Sequence, residues 1–469
     1  MTAALLTPAL MNKDNNWWTR PCGGFDVLRQ AVPIIISCGS VSLMNFTDRM
    51  FLMWLQDDSM TASMSGGMLF WTAVSLPVAI AGFVTTFVAQ YHGSGNYQRI
   101  GRIAWQGIWF GFVMMPILLL LFEPFAKVFT WFKHDESLIE LERTYYFYML
   151  LGSAAVISGE AAASFFRGLG KMRVEMYNTV FCVTLNIPLT YCLVFGDFGF
   201  PQWGLTGAVI ATTACLWIRF LIYVALMFLQ EYKSDKFRVF TGMRFDFPLQ
   251  TRLLYYGVPA GFYTFIDTVT FTAFILIIGG LGQVQRDATT IAFTLNSFTY
   301  IPLMGIGVVV TSMVGNQLGK NRPDLARRAA MTALCIGCTY AGCFGIAFLL
   351  CPDVLLIPFA QSDGFTNIHD LAVMLLRFVA LYLLFDGCAV IFISALRGAG
   401  DTMFTAWIIG TLAPLMPILS FVGIVLFGFG IFWCWAILTA LVLAYSLIFS
   451  LRYRSNIWES MRVIEKELI

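Results

Sequence analysis

The sequence predicts an all-α polytopic membrane protein whose twelve transmembrane helices form two matching six-helix bundles. Three observations carry this expectation: an apolar composition, long apolar runs repeated along the chain, and motifs that recur at a nearly constant offset. Of the 469 residues, 58% are hydrophobic and 12% charged. A soluble domain is about 45–50% apolar and about 25% charged. A chain this apolar has the bilayer as its solvent, where each backbone N–H and C=O must be satisfied inside its own segment, as a helix does. The net charge of +2 is too small to point to a nucleic-acid partner. The first thirty residues are polar and lack the ordered charged, apolar and cleavage regions of a secretory signal. The first span is therefore expected to remain as an uncleaved anchor.

Runs long enough to cross about 30 Å of hydrocarbon occupy, in order, 31–55, 66–91, 103–123, 143–166, 174–195, 204–230, 253–280, 288–314, 329–352, 370–394, 404–427 and 429–452. The last two are divided only by "FGFG". Residues 1–30 then form an N-terminal tail, 31–230 one lobe, 231–252 a connecting loop, 253–452 a second lobe and 453–469 a C-terminal tail. With the N-terminus inside, 22 of the 29 Lys and Arg fall on the cytoplasmic side. Outside are Arg49, Lys127, Lys133, Arg143 and Arg286, and inside helices are Arg219 and Arg377. The excess of cytoplasmic Lys and Arg places both termini in the cytoplasm.

The repeat is legible in three pairs. "AVP" at 31–33 recurs as "GVP" at 257–259, and "FVAQYHGSGN" at 87–96 as "MVGNQLGKNR" at 313–322, both offset by 226. "SFFRGLG" at 164–170 faces "SALRGAG" at 394–400, offset by 230. An even number of spans per half gives both halves one orientation, so a pseudo-two-fold axis along the membrane normal relates them. Such a plan suits alternating access around a central site; a channel would rather set this symmetry around charged rings.

These helix ends, the "FFRGLGK" and "ALRGAGDT" turns and "LNIPLTYCLVFG" in the fifth span resemble those of multidrug and toxic compound extrusion (MATE) transporters, over roughly 27–453. The resemblance implies a V-shaped pair of lobes and export of amphipathic, often cationic, organic compounds against Na⁺ or H⁺. It implies coupling-ion roles in the NorM-like branch for Asp48 in "NFTDRMF", for Asp267 a little past "GVP", where the family usually carries Glu, and for Asp386, eleven residues before Arg397. The archaeal-type branch carries an Asn and an Asp four residues apart on the fifth helix. This chain has Asn186 but Thr190, a departure that favours Asp267 and Asp386 as the coupling pair, with Na⁺ a ligand they can hold.

Carboxylates deep in spans face bundle interiors and mark ion pathways. Two sharing a cavity repel each other, so one site can take a proton, Na⁺ or an organic cation in turn. Asp48 is either such a ligand or an interfacial charge, and Arg49 snorkels outward. Glu160 and Arg219, on the fourth and sixth spans, are read as a structural charge pair. Arg377 is read as snorkelling. Asn186 either bonds across helices or lines a cavity. Tyr191 and Tyr263 are candidate cavity walls for a cation, or ordinary packing and lipid-facing aromatics.

Other chemistry finds no support. "GNQLGKN" is one residue short of a phosphate loop and lacks its Ser or Thr. Asp57 and Asp58 have no acidic partner downstream, and no nucleophile set or HExxH is present, so neither an enzyme nor a cofactor is expected. Cys335 and Cys338 form a CxxC with no second ligand pair, and are read as small residues packing a membrane helix. The expected partners are a small amphipathic solute and membrane lipid, with no nucleic acid, and a monomer in the bacterial inner membrane suffices. The alternative is a flippase for a lipid-linked metabolite. That would need a strongly basic cavity, whereas the deep charges here are mainly acidic.

Overall fold

The computed structural model describes residues 16–55, 58–131, 135–234, 236–359 and 365–465. Most of the N-terminal tail, Asp57 and Lys133 lie outside them. Among the described residues there is helix and no strand. Among the described residues eleven helices are long and apolar enough to cross a membrane, and a bent pair taken as one span makes a twelfth. They are α1 (Gly24–Met53), α2 (Ser59–Ser94), α3 (Gln98–Leu120), α4 (Glu136–Leu151 and Ser153–Gly168), α5 (Met172–Phe195) and α6 (Gly204–Ser234). The second half supplies α7 (Phe247–Gly279), α8 (Gln283–Gly319), α9 (Pro323–Leu350), α10 (Phe365–Ala399), α11 (Thr402–Phe427) and α12 (Ile431–Arg454). Each expected span falls on one of them.

The breaks have local causes. Helix α4 bends by 43° at Gly152, and α11 is interrupted at Ala413–Pro414, where proline lacks the N–H that would continue the ladder. One element was not expected. Phe122–Trp131 is a separate ten-residue helix with Ala126 and Phe129 buried and Glu123 and Lys127 exposed. Arg143 of α4 holds it by a 2.7 Å ion pair to Glu123 and lies 5.3 Å from the Phe122 ring centre. Two charges in ten residues hide it from a search for apolar runs.

The chain divides into two compact units, 36–268 and, among the described residues, 16–35 with 269–465. Each unit repeats the same close packing at the positions the sequence pairs. In the first, a Cβ on Gly168 would stand 2.9 Å from the Thr85 carbonyl oxygen and 2.5 Å from Val88 Cβ. In the second, a Cβ on Gly398 would stand 2.6 Å from the Thr311 carbonyl oxygen and 3.2 Å from Val314 Cβ. Gly168 and Gly398 are 230 apart, and Thr85 with Thr311 and Val88 with Val314 are 226 apart. The "RG" turns are therefore contacts where only glycine lets α4 meet α2, and α10 meet α8. The repeat extends to the opening helices. The start of α7 packs on α2, with a Cβ at Gly261 only 2.7 Å from the Leu76 carbonyl oxygen, and the start of α1 packs on α8, with Ile35 Cγ1 2.9 Å from a Cβ at Gly305.

Within unit 36–268 the connecting loop is strapped to α3. Trp105 Nε1 donates to Val239 O at 2.9 Å and Trp109 Nε1 to Met243 O at 2.8 Å. The Gln106 amide donates to Arg244 O and accepts from Asp246 N. Asp246 is also paired to Arg102 at 3.2 Å and accepts from Leu249 N in the first turn of α7.

Candidate functional site

Asp48 lies near the end of α1, Asn186 and Thr190 one turn apart on α5, and Thr212 on α6. Residues four apart share a helix face, so α5 offers an amide and a hydroxyl together. Thr212 Oγ1 lies 3.1 Å from Asp48 Oδ2 and 3.1 Å from Ala208 O, and donates to one of them at a time. Thr190 faces the same carboxylate. Cys215 borders Asn186 and is also near Asp48. Asn186 and Thr190 are fully buried and Thr212 nearly so. Asp48 Oδ1, Asn186 Oδ1, Asn186 Nδ2 and Thr190 Oγ1 are buried and make no hydrogen bond of ordinary geometry, although Thr190 stands toward Asp48 and Asn186 toward Cys215.

A buried polar atom without a partner costs about 1–3 kcal/mol, more when charged, so a cluster of such groups is stabilised by any partner it takes up, water or an ion. A carboxylate, an amide carbonyl and two hydroxyls are oxygen donors of the kind a hard cation takes. The sequence placed Asp48, Asn186 and Thr190 on separate lines of argument; the fold puts them together and adds Thr212, which had no sequence mark. Tyr145 of α4 borders Asp48 and Arg49. One turn earlier, the fully buried Glu142 accepts a 2.5 Å hydrogen bond from Ser65 Oγ of α2. The apolar run of the fourth span begins at 143, so this carboxylate lies just outside it in the sequence.

Tyr191 is more than one-third exposed and packs with aromatics, its ring 5.6 Å from Phe51 and 5.0 Å from Phe195. Asp267 is exposed on α7, with half-buried Tyr263 one turn before it. Asp386 is half-buried on α10, one turn after the buried Tyr382, whose hydroxyl feels its charge. Asp267 falls in unit 36–268 and Asp386 in the other, and each is described by itself.

The expected Glu160–Arg219 pair is corrected by the structure. Glu160 is ion-paired to Arg167 of its own helix, which also binds Glu175 of α5 through Nε at 2.6 Å and Nη2 at 2.5 Å. Arg219 lies 6.0 Å from the Tyr223 ring centre and within Coulombic reach of both carboxylates. The physical reason is spacing. Residues 160 and 167 are two helical turns apart on one face, and Arg167 occupies the place between the carboxylates. That periodicity was present in the sequence.

A doubled helical bundle with carboxylates set inside its apolar interior defines a polytopic integral membrane protein of the transporter type. The chain belongs to the MatE family, whose profile matches it twice, at 33–192 and 259–422. The second match begins 226 residues after the first and ends 230 after it, the offsets of the repeat. It is 26% identical over 395 residues to the multidrug resistance protein MdtK of Proteus mirabilis (strain HI4320), covering 82% of this chain and 85% of that one. Its fold is similar to the crystal structure of the eukaryotic MATE transporter AtDTX14, with a TM-score of 0.80, 18% identity, and 93% and 96% of the two chains covered. It is also similar to a MOP superfamily transporter from Pyrococcus furiosus, with a TM-score of 0.82, 15% identity, and 93% and 97% covered.

Proposed function

We propose that this chain is a secondary active antiporter that exports amphipathic, often cationic, organic compounds across the bacterial inner membrane in exchange for Na⁺ or H⁺. The observation that carries the reading is a carboxylate on an apolar spanning helix, Asp48, grouped with the buried Asn186, Thr190 and Thr212. Such a cluster gains most from a passing cation. The name of the Proteus mirabilis relative, a multidrug resistance protein, supports the substrate class.

In this reading Asp267 and Asp386 take the coupling ion in the outward-open state, and Asp48 with Thr212 forms a second station. Binding neutralises the carboxylates, weakens their hold on a cationic solute and lets the lobes, 31–230 and 253–452, rock inward. Asn186, Thr190, Tyr191 and Tyr263 line the solute's path, the tyrosines through cation–π attraction. The cycle needs no cofactor and no reaction on the solute, a monomer suffices, and both termini face the cytoplasm.

One charge crossing 100 mV supplies about 2.3 kcal/mol, and a tenfold gradient costs about 1.4 kcal/mol. One inward ion therefore sustains roughly a 40-fold outward gradient of a neutral solute. An exported monocation cancels that charge movement, so one-for-one exchange then runs on the ion's chemical gradient alone. The test is dye efflux in proteoliposomes with Na⁺ and pH gradients imposed separately. Efflux that follows one of them supports antiport, and efflux indifferent to both rejects it.

A further inference from the structure

The thiols of Cys338 on α9 and Cys388 on α10 face each other, Sγ to Sγ 3.5 Å. Both lie in the unit that holds α8–α12, both are half-buried, and both are free cysteines. The helices approach closely here. Gly337 and Gly387 precede the two cysteines; a Cβ on Gly387 would lie 3.7 Å from Ala341 Cβ of α9, and one on Gly337 3.8 Å from Ile391 Cγ1 of α10. Small residues at such contacts bring backbones together. A disulfide needs its sulfurs at about 2.05 Å, so closure asks roughly 1.5 Å of movement. Side-chain rotation with a small helix shift can supply that. The CxxC of the sequence is thus divided: Cys335 is exposed, and Cys338 pairs across helices instead. Asp386 is two residues before Cys388, and Ser446 of α12 borders the Cys388 thiol.

We propose that Cys338 and Cys388 form a reversible oxidation site that staples α9 to α10 beside Asp386. The oxidant is a small uncharged peroxide able to enter the membrane interior. One thiolate attacks a peroxide oxygen, the O–O bond breaks, and hydroxide leaves to give a sulfenic acid. The second thiol attacks that sulfur, the S–O bond breaks, and water leaves with its proton. Overall, two thiols and one hydrogen peroxide give one disulfide and two waters; a dithiol reductant reverses it by thiol–disulfide exchange. The staple fixes the segment of α10 that carries Asp386, and so stops the transport assigned above. That second consequence rests on the proposed function; formation of the bond does not.

The experiment has two arms on the full chain in lipid. In the first, the protein is treated with hydrogen peroxide, remaining thiols are alkylated, and peptides are mapped by mass. The expected result is a linked 338–388 peptide that disappears on dithiothreitol treatment and is absent from Cys338→Ser and Cys388→Ser. Peroxide that leaves both thiols alkylatable while exposed Cys335 is oxidised overturns the proposal, whether or not the protein transports. In the second arm, efflux by the wild type is lost after peroxide and returns with dithiothreitol, while the serine variants keep their basal efflux and resist peroxide. A Cys338→Ala/Cys388→Ala pair serves if either serine variant fails to fold. Full efflux from protein that carries the mapped bond overturns the staple.

Discussion

Replacing Arg167 by Gln removes the cation that holds two carboxylates at the junction of α4 and α5. The side chains of Arg167, Glu160 and Glu175 are only 13%, 19% and 7% exposed, so solvent screens them little. Glu175 loses both guanidinium bonds, at 2.6 and 2.5 Å, Glu160 loses its ion pair, and two negative charges remain as neighbours. Removing one partner of a buried ion pair costs about 3–5 kcal/mol, much of it the stranded charge. The variant should unfold at clearly lower temperature in detergent, read by loss of the monodisperse peak after heating. Adding Glu160→Gln and Glu175→Gln to Arg167→Gln should restore part of the loss, because the two stranded carboxylates are gone, while Arg219 loses the acidic neighbours it had. A single variant as heat-stable as the wild type, or a triple variant no better than the single, would refute the assignment of Arg167 as the centre of this cluster.

Three further outcomes follow from packing and burial. Gly168→Ala and Gly398→Ala press a methyl group against Thr85 and Thr311, and each should cost about 1–3 kcal/mol, measured as lowered thermal stability of matched size in the two halves. Gln106→Ala strips two hydrogen bonds from the strap at 244–246, a loss of about 1–3 kcal/mol. Amide exchange over 237–246 should quicken about tenfold for each 1.4 kcal/mol lost, while exchange in the middle of α3 stays put. Burial, with the Asp26 carboxylate adding to it, pushes the Cys22 thiol up to about 11. Below that pH it is protonated and unreactive, so its alkylation at neutral pH should lag far behind that of exposed Cys351 and rise about tenfold per pH unit.

Much of the fold was legible because it is written locally. Each expected span falls on a helix, and the helix-end and "RG" motif pairs mark a contact repeated in each unit, Gly168 on Val88 and Gly398 on Val314. What was not legible depends on which helix faces meet. Asp48 and Asn186 were each marked by chemistry, but their common surroundings arise only when α1, α5 and α6 pack, and Thr212 carries no sequence signal at all. Glu142 was missed because a polar first turn, "ESLIELER", looks like loop until burial is known. Arg167 follows the apolar run of the fourth span and so reads as lying beyond it; its seven-residue spacing from Glu160 is the signal that sets both on one helix face. The helix Phe122–Trp131 is amphipathic and short, so its apolar side shows only against α4.

The claim on which the functional account turns is that carboxylates carried on the spanning helices exchange a coupling ion for a solute. The most direct measurement compares ion-driven dye efflux from proteoliposomes holding wild type, Asp48→Asn, Asp267→Asn or Asp386→Asn at equal reconstitution. Asparagine keeps the size and removes the charge. The account predicts that Asp267→Asn and Asp386→Asn each lose gradient-driven efflux while remaining folded, and that Asp48→Asn is impaired. Undiminished efflux from all three would contradict it.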